Sequence, residues 1–132
     1  MRISVLTPTY NRANLLERLY ASLVQNSNFG IEIEWLIIDD GSIIPPKEIV
    51  DRFIAENKII IKYFEQKNKG KMAAINYLAQ EATGDLIVDC DDDDYFTENA
   101  FEIIKSTYEK SINTNDCYGM CFLKYNQNKE NM

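Results

Sequence analysis

The chain has 132 residues, of which 45% are hydrophobic and 27% are charged, and it carries a net charge of −7 with no histidine. This length and composition are typical of a single folded domain. The acidic balance argues against nucleic acid or an anionic membrane surface as a partner, and the lack of histidine excludes Cys/His zinc sites and Ser-His-Asp triads. No apolar run approaches the ~20 residues of a membrane span, so we expect no transmembrane segment and a cytoplasmic protein.

Strand and helix patterns alternate along the chain. Strands are predicted at 3–6, 35–38, 59–64, 86–88 and 117–125. The predicted helices are 16–24, a short one after Pro45-Pro46, one over about 71–82, and one capped by Thr97 that reaches 112. The third helix is expected to bury the residues Met72, Ile75, Leu78, Ala79 and Ala82. Successive strand–helix units imply an α/β fold, with a mostly parallel sheet between helix layers.

Polar clusters follow four of these strands, at 7–12, 39–42, 66–71 and 89–94. In open parallel sheets, ligands bind beyond the carboxyl ends of the strands. We therefore expect the four clusters to form one site at one edge of the sheet.

The last cluster places five carboxylates within the six positions 89–94, directly after an apolar strand. An acidic run of this kind is often only a solvated loop. Here the preceding strand and the following Tyr95-Phe96 pair indicate a tight edge within the fold. Asp91 and Asp93 alternate along an extended chain and so point the same way, which favours joint binding of one hard metal ion.

Several standard nucleotide and metal motifs are missing from the sequence. It has neither G-x-G-x-x-G after the first strand nor G-x-x-x-x-G-K-[ST], so it supports neither a dinucleotide fingerprint nor a P-loop. An EF-hand that starts at Asp91 is excluded because Phe96 stands where that loop requires glycine.

The chain resembles the nucleotide-sugar-binding half of a family 2 glycosyltransferase with the GT-A fold. Four blocks in order carry this resemblance: 5–12 (VLTPTYNR), 35–42 (WLIIDDGS), 68–76 (NKGKMAAIN) and 84–94 (GDLIVDCDDDD). It implies a metal-dependent enzyme that transfers sugar from a UDP-sugar donor, with inversion, to a saccharide or related acceptor, as in polysaccharide or glycan synthesis. The resemblance covers nearly the whole chain, and it implies that 1–132 is a single nucleotide-sugar-binding domain that ends before the acceptor-binding part.

The resemblance also implies roles for individual residues. Tyr10 can stack on uracil, or can be a core aromatic. Asp39 or Asp40 can accept the pyrimidine N–H, or can cap the Gly-Ser turn. Lys71, at a helix N-terminus, can meet the diphosphate, or can be a surface lysine. The further expected donor-binding residues are Pro8, Thr9, Arg12, Asn68, Asp91 and Asp92.

Counted from Gly84, the family's metal motif falls on Asp91 and Asp93, with Asp94 beside it. These three residues are the expected ligands of Mn²⁺ or Mg²⁺, since both ions prefer oxygen ligands and bridge carboxylate to diphosphate. Two positions depart from the family pattern. Asp92 stands where a small polar residue is usual, and Asp89 stands where an apolar residue is usual.

The catalytic base of the family lies in sequence beyond Met132, and no acidic motif after Tyr95 replaces it. We therefore expect the chain to be an N-terminal part that binds donor but lacks the base. Two alternatives remain open from the sequence: a non-catalytic nucleotide-sugar-binding module, and a receiver-type phospho-signalling domain.

Overall fold

A computed structural model describes residues 1–28 and 30–111 of the chain. Its strands are β1 (Arg2–Thr9), β2 (Glu32–Asp39), β3 (Ile60–Glu65) and β4 (Leu86–Asp89). Its α-helices are α1 (Leu16–Gln25), α2 (Lys47–Glu56), α3 (Lys71–Glu81) and α4 (Ala100–Ser111), and short 3₁₀ turns span Ala13–Leu15 and Asn26–Asn28. The predicted strand 117–125 lies outside the described residues.

The chain divides into two compact units, Met1–Glu102 and Ile103–Met132. The expected single domain over 1–132 stays a prediction. Within the described ranges, no helix combines the length and the apolar character needed to cross a lipid bilayer.

The four strands form one parallel sheet in the order β3-β2-β1-β4. One row across the sheet runs Ile61, Trp35, Val5, Val88. This arrangement confirms the predicted α/β fold with a parallel sheet. The strand ends are staggered, because Asp89 at the end of β4 lies opposite Leu6 of β1. The residues after β4 therefore run beside the last residues of β1.

Helices cover both faces of the sheet. Successive residues of a strand point to opposite sides, so each strand supplies side chains to both helix layers. On one face, α3 packs on the sheet through a buried cluster of Leu6, Leu36, Ile38, Ala74 and Leu78. On the other face, aromatic rings from α1, α2 and β2 stack. The centroids of Tyr20 and Phe53 are 4.1 Å apart, and those of Trp35 and Phe53 are 6.1 Å apart.

Two local predictions were wrong. Met72 is 72% exposed and Ala79 is also exposed, because α3 contacts the sheet along the line of Ala74 and Leu78 instead. Thr97 does not provide the side-chain cap, and α4 begins three residues later, at Ala100. The cap comes from the buried Asn26, whose Oδ1 accepts the Phe101 N–H at 3.0 Å.

A buried carboxylate ties the strands together near their amino ends. Glu34 of β2 accepts hydrogen bonds from Ser4 Oγ of β1 (2.6 Å) and from Thr83 N and Oγ1 (both 2.9 Å). It also pairs with Lys62 Nζ of β3 at 2.6 Å. Burial alone would raise the pKa of Glu34, but the bonds from Lys62, Ser4 and Thr83 outweigh burial and lower that pKa to about 2.

Because the folded pKa of Glu34 lies below its ordinary value of 4.5, its contribution to stability is complete above about pH 4.5 and is lost as pH falls toward 2. Glu34→Gln should lower the free energy of unfolding at pH 7 by about 1–3 kcal/mol, the range for unsatisfied buried groups. This difference from wild type should shrink as pH falls below 4.5 in urea-unfolding series. The control is Glu32→Gln on the same strand, which removes an exposed pair with Arg2 and should cost less than about 1 kcal/mol. A Glu34→Gln effect that does not change with pH would contradict the assignment.

Candidate functional site

The four polar clusters meet at the carboxyl edge of the sheet and are joined to one another in a ring. Each cluster contacts its neighbour through at least one hydrogen bond or ion pair. The joining contacts are Asn11 N to Ser42 Oγ (2.8 Å), Lys69 N to Asp40 Oδ1 (2.8 Å), Lys71 Nζ to Asp91 Oδ1 (2.6 Å) and Thr9 Oγ1 to Asp92 Oδ2 (2.9 Å). The strand-end clusters predicted from the sequence therefore share one edge.

The turn after β2 is built around Asp39. Its carboxylate accepts Ser42 N at 3.0 Å and also accepts the Ser42 hydroxyl. The same hydroxyl oxygen accepts the Asn11 N–H, and Asn11 Oδ1 accepts Ile43 N at 3.0 Å. Asp39 thus caps the Gly-Ser turn, and this turn fixes the segment that carries Tyr10, whose side chain is 45% exposed beside it.

Asp40 holds the loop that leads into α3. Its Oδ1 accepts Lys69 N at 2.8 Å and Gln66 Nε2 at 2.9 Å, and its Oδ2 accepts Gly70 N at 3.1 Å. Burial opposes ionisation, but these three bonds outweigh it and lower the pKa of Asp40 below its ordinary value. Asp40 is therefore a carboxylate at neutral pH. Each carboxylate oxygen has two lone-pair sites, so Oδ2 keeps acceptor capacity for a further donor.

Three carboxylates converge in the acidic loop. One oxygen each from Asp91, Asp93 and Asp94 lies within 4.8 Å of the others. Opposite ligands of Mg²⁺ or Mn²⁺ are roughly 4.2 Å apart, given metal–oxygen distances near 2.1 Å. The all-oxygen donor set suits a hard divalent cation, and the oxygens lie within about 0.6 Å of the spacing that such an ion requires. Lys71 contacts one member of this triad, Asp91.

Asp92 does not belong to this triad, and its side chain is only 1% exposed. The stagger of β4 against β1 explains its partners: Asp89 lies opposite Leu6, so Asp92 comes beside Thr9. The Arg12 guanidinium makes a bidentate contact with the Asp92 carboxylate: Nε donates to Oδ2 at 3.3 Å, and Nη2 donates to Oδ1. Burial raises the pKa of Asp92, and the bonds from Thr9 and Arg12 offset that rise only in part.

Helix α1 anchors the acidic loop from its other side. Arg18 Nη2 donates to the Asp93 carbonyl at 3.0 Å, and the guanidinium lies 4.4 Å from the centre of the Tyr95 ring. Ser22 Oγ accepts Phe96 N at 3.1 Å. Arg18 and Ser22 are not among the residues predicted for the site, because both match ordinary positions of an amphipathic helix.

The remaining predicted residues lie along the same edge. Pro8 is half-buried near the end of β1 and Thr9 is buried. Asn68 is exposed, but its backbone passes close to Gly41: a Cβ placed on Gly41 would meet Asn68 N at 2.9 Å. The roles assigned to these residues in donor binding stay predictions.

Comparison with known proteins gives a consistent set of similarities. The model of the family described as Glycosyl transferase family 2 matches residues 4–131. The chain is 37% identical over 113 residues to an uncharacterised glycosyltransferase of Mycoplasma pneumoniae, an alignment that covers 84% of this chain and 38% of that protein. Among solved structures, S. aureus TarS in complex with UDP aligns with a TM-score of 0.76 at 26% identity, covering 85% of this chain and 33% of that one. TarS in complex with UDP-GlcNAc gives 0.74 at 25%, with 85% and 32% covered. The chain thus spans well under half the length of these proteins.

Gly41 offers a test of how closely the edge is packed. It has φ +84°, and a methyl group there would meet the backbone of Asn68, whereas Gly70 has φ +92° and a methyl group there would meet nothing within 4 Å. Gly70→Ala should cost about 1–3 kcal/mol from backbone strain alone. Gly41→Ala should cost about 1–3 kcal/mol more from overpacking. Urea unfolding of both variants measures the difference, and an equal or smaller loss for Gly41→Ala would contradict the close approach.

Proposed function

The chain belongs to glycosyl transferase family 2, and we propose that it forms the donor-binding part of an inverting, metal-dependent transferase that uses a UDP-sugar. The proposed acceptor is a saccharide or a related hydroxyl compound, as in polysaccharide or glycan synthesis. One observation carries the proposal: Asp91, Asp93 and Asp94 converge beside Lys71, at the N-terminus of α3.

The diphosphate of the donor is the group that this arrangement suits best. An acidic protein can hold an anion only through local positive charge, and two sources lie together here. The triad is suited to Mn²⁺ or Mg²⁺, which when bound would neutralise the charge that develops on the leaving diphosphate. Lys71 adds its ammonium group, and the N-terminus of α3 adds the positive end of the helix dipole.

The nucleotide base fits the other end of the edge. Tyr10 offers an exposed ring, and the neighbouring Asp40 is an ionised acceptor with spare capacity at Oδ2. Uracil carries an N–H that such a carboxylate can accept, and charge-assisted bonds of this kind are among the stronger ones. Asp40 rather than Asp39 is the proposed partner, since its side chain is the less buried of the two, at 8% against 2% exposed. The similarity to TarS, which has been solved with UDP and with UDP-GlcNAc, supports a uridine donor.

Inverting transfer also requires a base to deprotonate the acceptor hydroxyl. Among the described residues, Asp39, Asp40 and Asp92 each hold part of the fold, and the triad is assigned to the cation. We propose that the base lies outside the residues that the structure describes.

Metal-dependent donor binding can be tested by removing two triad members together. Wild type should gain about 2.7 kcal/mol of stability from UDP plus Mn²⁺ at 100 times the dissociation constant, measured as a thermal shift. Asp91→Ala with Asp93→Ala should lose that shift. The matched control is Glu98→Ala with Glu102→Ala, which removes the same amount of charge from the segment after the acidic loop. This control variant should keep the thermal shift. Equal shifts in wild type and the triad double variant would refute the metal site.

Base recognition can be tested at the two neighbouring aspartates. Asp40→Asn should weaken UDP binding by about 1.5–3 kcal/mol, the range for hydrogen bonds to charged groups, in calorimetric titrations at saturating Mn²⁺. Binding of ADP, which lacks the uracil N–H, should change little. Asp39→Asn should lower stability by loosening the turn while it leaves the ratio of UDP to ADP affinity unchanged. If Asp40→Asn weakened both nucleotides equally, Asp40 would serve the loop alone.

A further inference from the structure

We propose that Asp92 is a positioning residue, which holds the Arg12 guanidinium back from Asp93 and so keeps Asp93 available to a divalent cation. The inference rests on the proposed function, because it concerns the cation site of that function. It addresses the position at which the sequence departs from the small polar residue usual in the family.

The first observation is how completely Asp92 is enclosed. The side chain is 1% exposed, and Asp92 is not among the three residues whose oxygens converge in the triad. Its carboxylate is bonded by Thr9 and by two nitrogens of Arg12. A buried anion of this kind needs a counter-ion, and a planar guanidinium matches a carboxylate with two parallel bonds.

The second observation is the distance that remains between Arg12 and the triad. Arg12 Nη1 lies 3.7 Å from Asp93 Oδ2, whereas charge-assisted N–H···O bonds are about 2.7–2.9 Å long. The contact with Asp93 is therefore a loose ion pair and not a hydrogen bond. By contrast, Lys71 reaches Asp91 at 2.6 Å. The Arg12 guanidinium does not form a hydrogen bond with Asp93 because two of its nitrogens already bond to the Asp92 carboxylate.

The consequence of losing the buried charge follows from this geometry. Without the anion at position 92, the guanidinium would lose its strongest partner while remaining beside a half-exposed carboxylate at position 93. Moving about 1 Å would turn the loose pair into a direct bond of ordinary length. Arg12 would then compete with a divalent cation for Asp93.

The test measures Mn²⁺ alone, without nucleotide, by electron paramagnetic resonance titration of the full chain. Asp92→Asn keeps the shape of the side chain and should raise the Kd for Mn²⁺ about fivefold, the upper end for an exposed ion pair. Asp89→Asn is the control, because it removes the same charge at the end of β4 but outside the triad. The expected fivefold rise is the ratio of the Kd of Asp92→Asn to the Kd of Asp89→Asn. Adding Arg12→Met to Asp92→Asn removes the competitor and should return the Kd to within about twofold of wild type.

Two further measurements keep the test decisive. Arg12→Met alone leaves Asp92 buried without its counter-ion and should lower Tm by several degrees, and adding Asp92→Asn should recover most of that loss. A crystal structure of Asp92→Asn should place the guanidinium within hydrogen-bond distance of Asp93. A guanidinium that points to solvent in that crystal, or a Kd equal to that of Asp89→Asn, would overturn the inference while leaving the metal site intact. Failure of wild type itself to bind Mn²⁺ would overturn the metal site and the inference with it.

Discussion

Mutual repulsion among carboxylates at one edge of the sheet is the constraint that organises this protein. Parallel strands bring their carboxyl ends together, and β2 and β4 both lead into aspartates. Each carboxylate is stabilised in a different way. Asp39 accepts hydrogen bonds from a turn, and Asp40 accepts them from a loop. The buried Asp92 pairs with a half-exposed guanidinium, and Asp91 pairs with an ammonium group. The charges that repel one another thereby fix the loops on which a site depends.

Sequence patterns predicted the sheet well because they depend on local periodicity. The apolar runs of β1 and β2 and the amphipathic helices indicated the element order and the parallel topology directly. The oxygens of Asp91 and Asp93 do converge with that of Asp94, but the expected reason, alternation along an extended chain, was wrong. The segment is a turn in which the Asp94 N–H donates to the Asp91 carbonyl at 3.1 Å.

The remaining features depend on contacts between distant parts of the chain, which no local pattern encodes. Asn26 caps a helix that begins 74 residues later at Ala100, and Arg18 reaches a carbonyl 75 residues away. Met72 matched the apolar side of its helix by spacing, yet the sheet meets that helix along a neighbouring line. Asp92 lies in a turn, and its burial against Thr9 and Arg12 follows from the stagger of β4 against β1.

Arg12 and Lys71 both contact triad carboxylates, and they differ in how firmly they are held because of their side chains. Arg12 forks onto a carboxylate that is 1% exposed, whereas Lys71 reaches Asp91 from a flexible stem that is 59% exposed. Moving Arg12 would leave the buried Asp92 carboxylate without its counter-ion. Moving Lys71 would separate it from Asp91, and both of these groups can then be solvated by water. A ligand that rearranges this edge therefore displaces Lys71 at lower cost. The edge therefore combines a fixed positive charge, Arg12, with a movable one, Lys71. Two lysines or two arginines would not provide this difference in mobility.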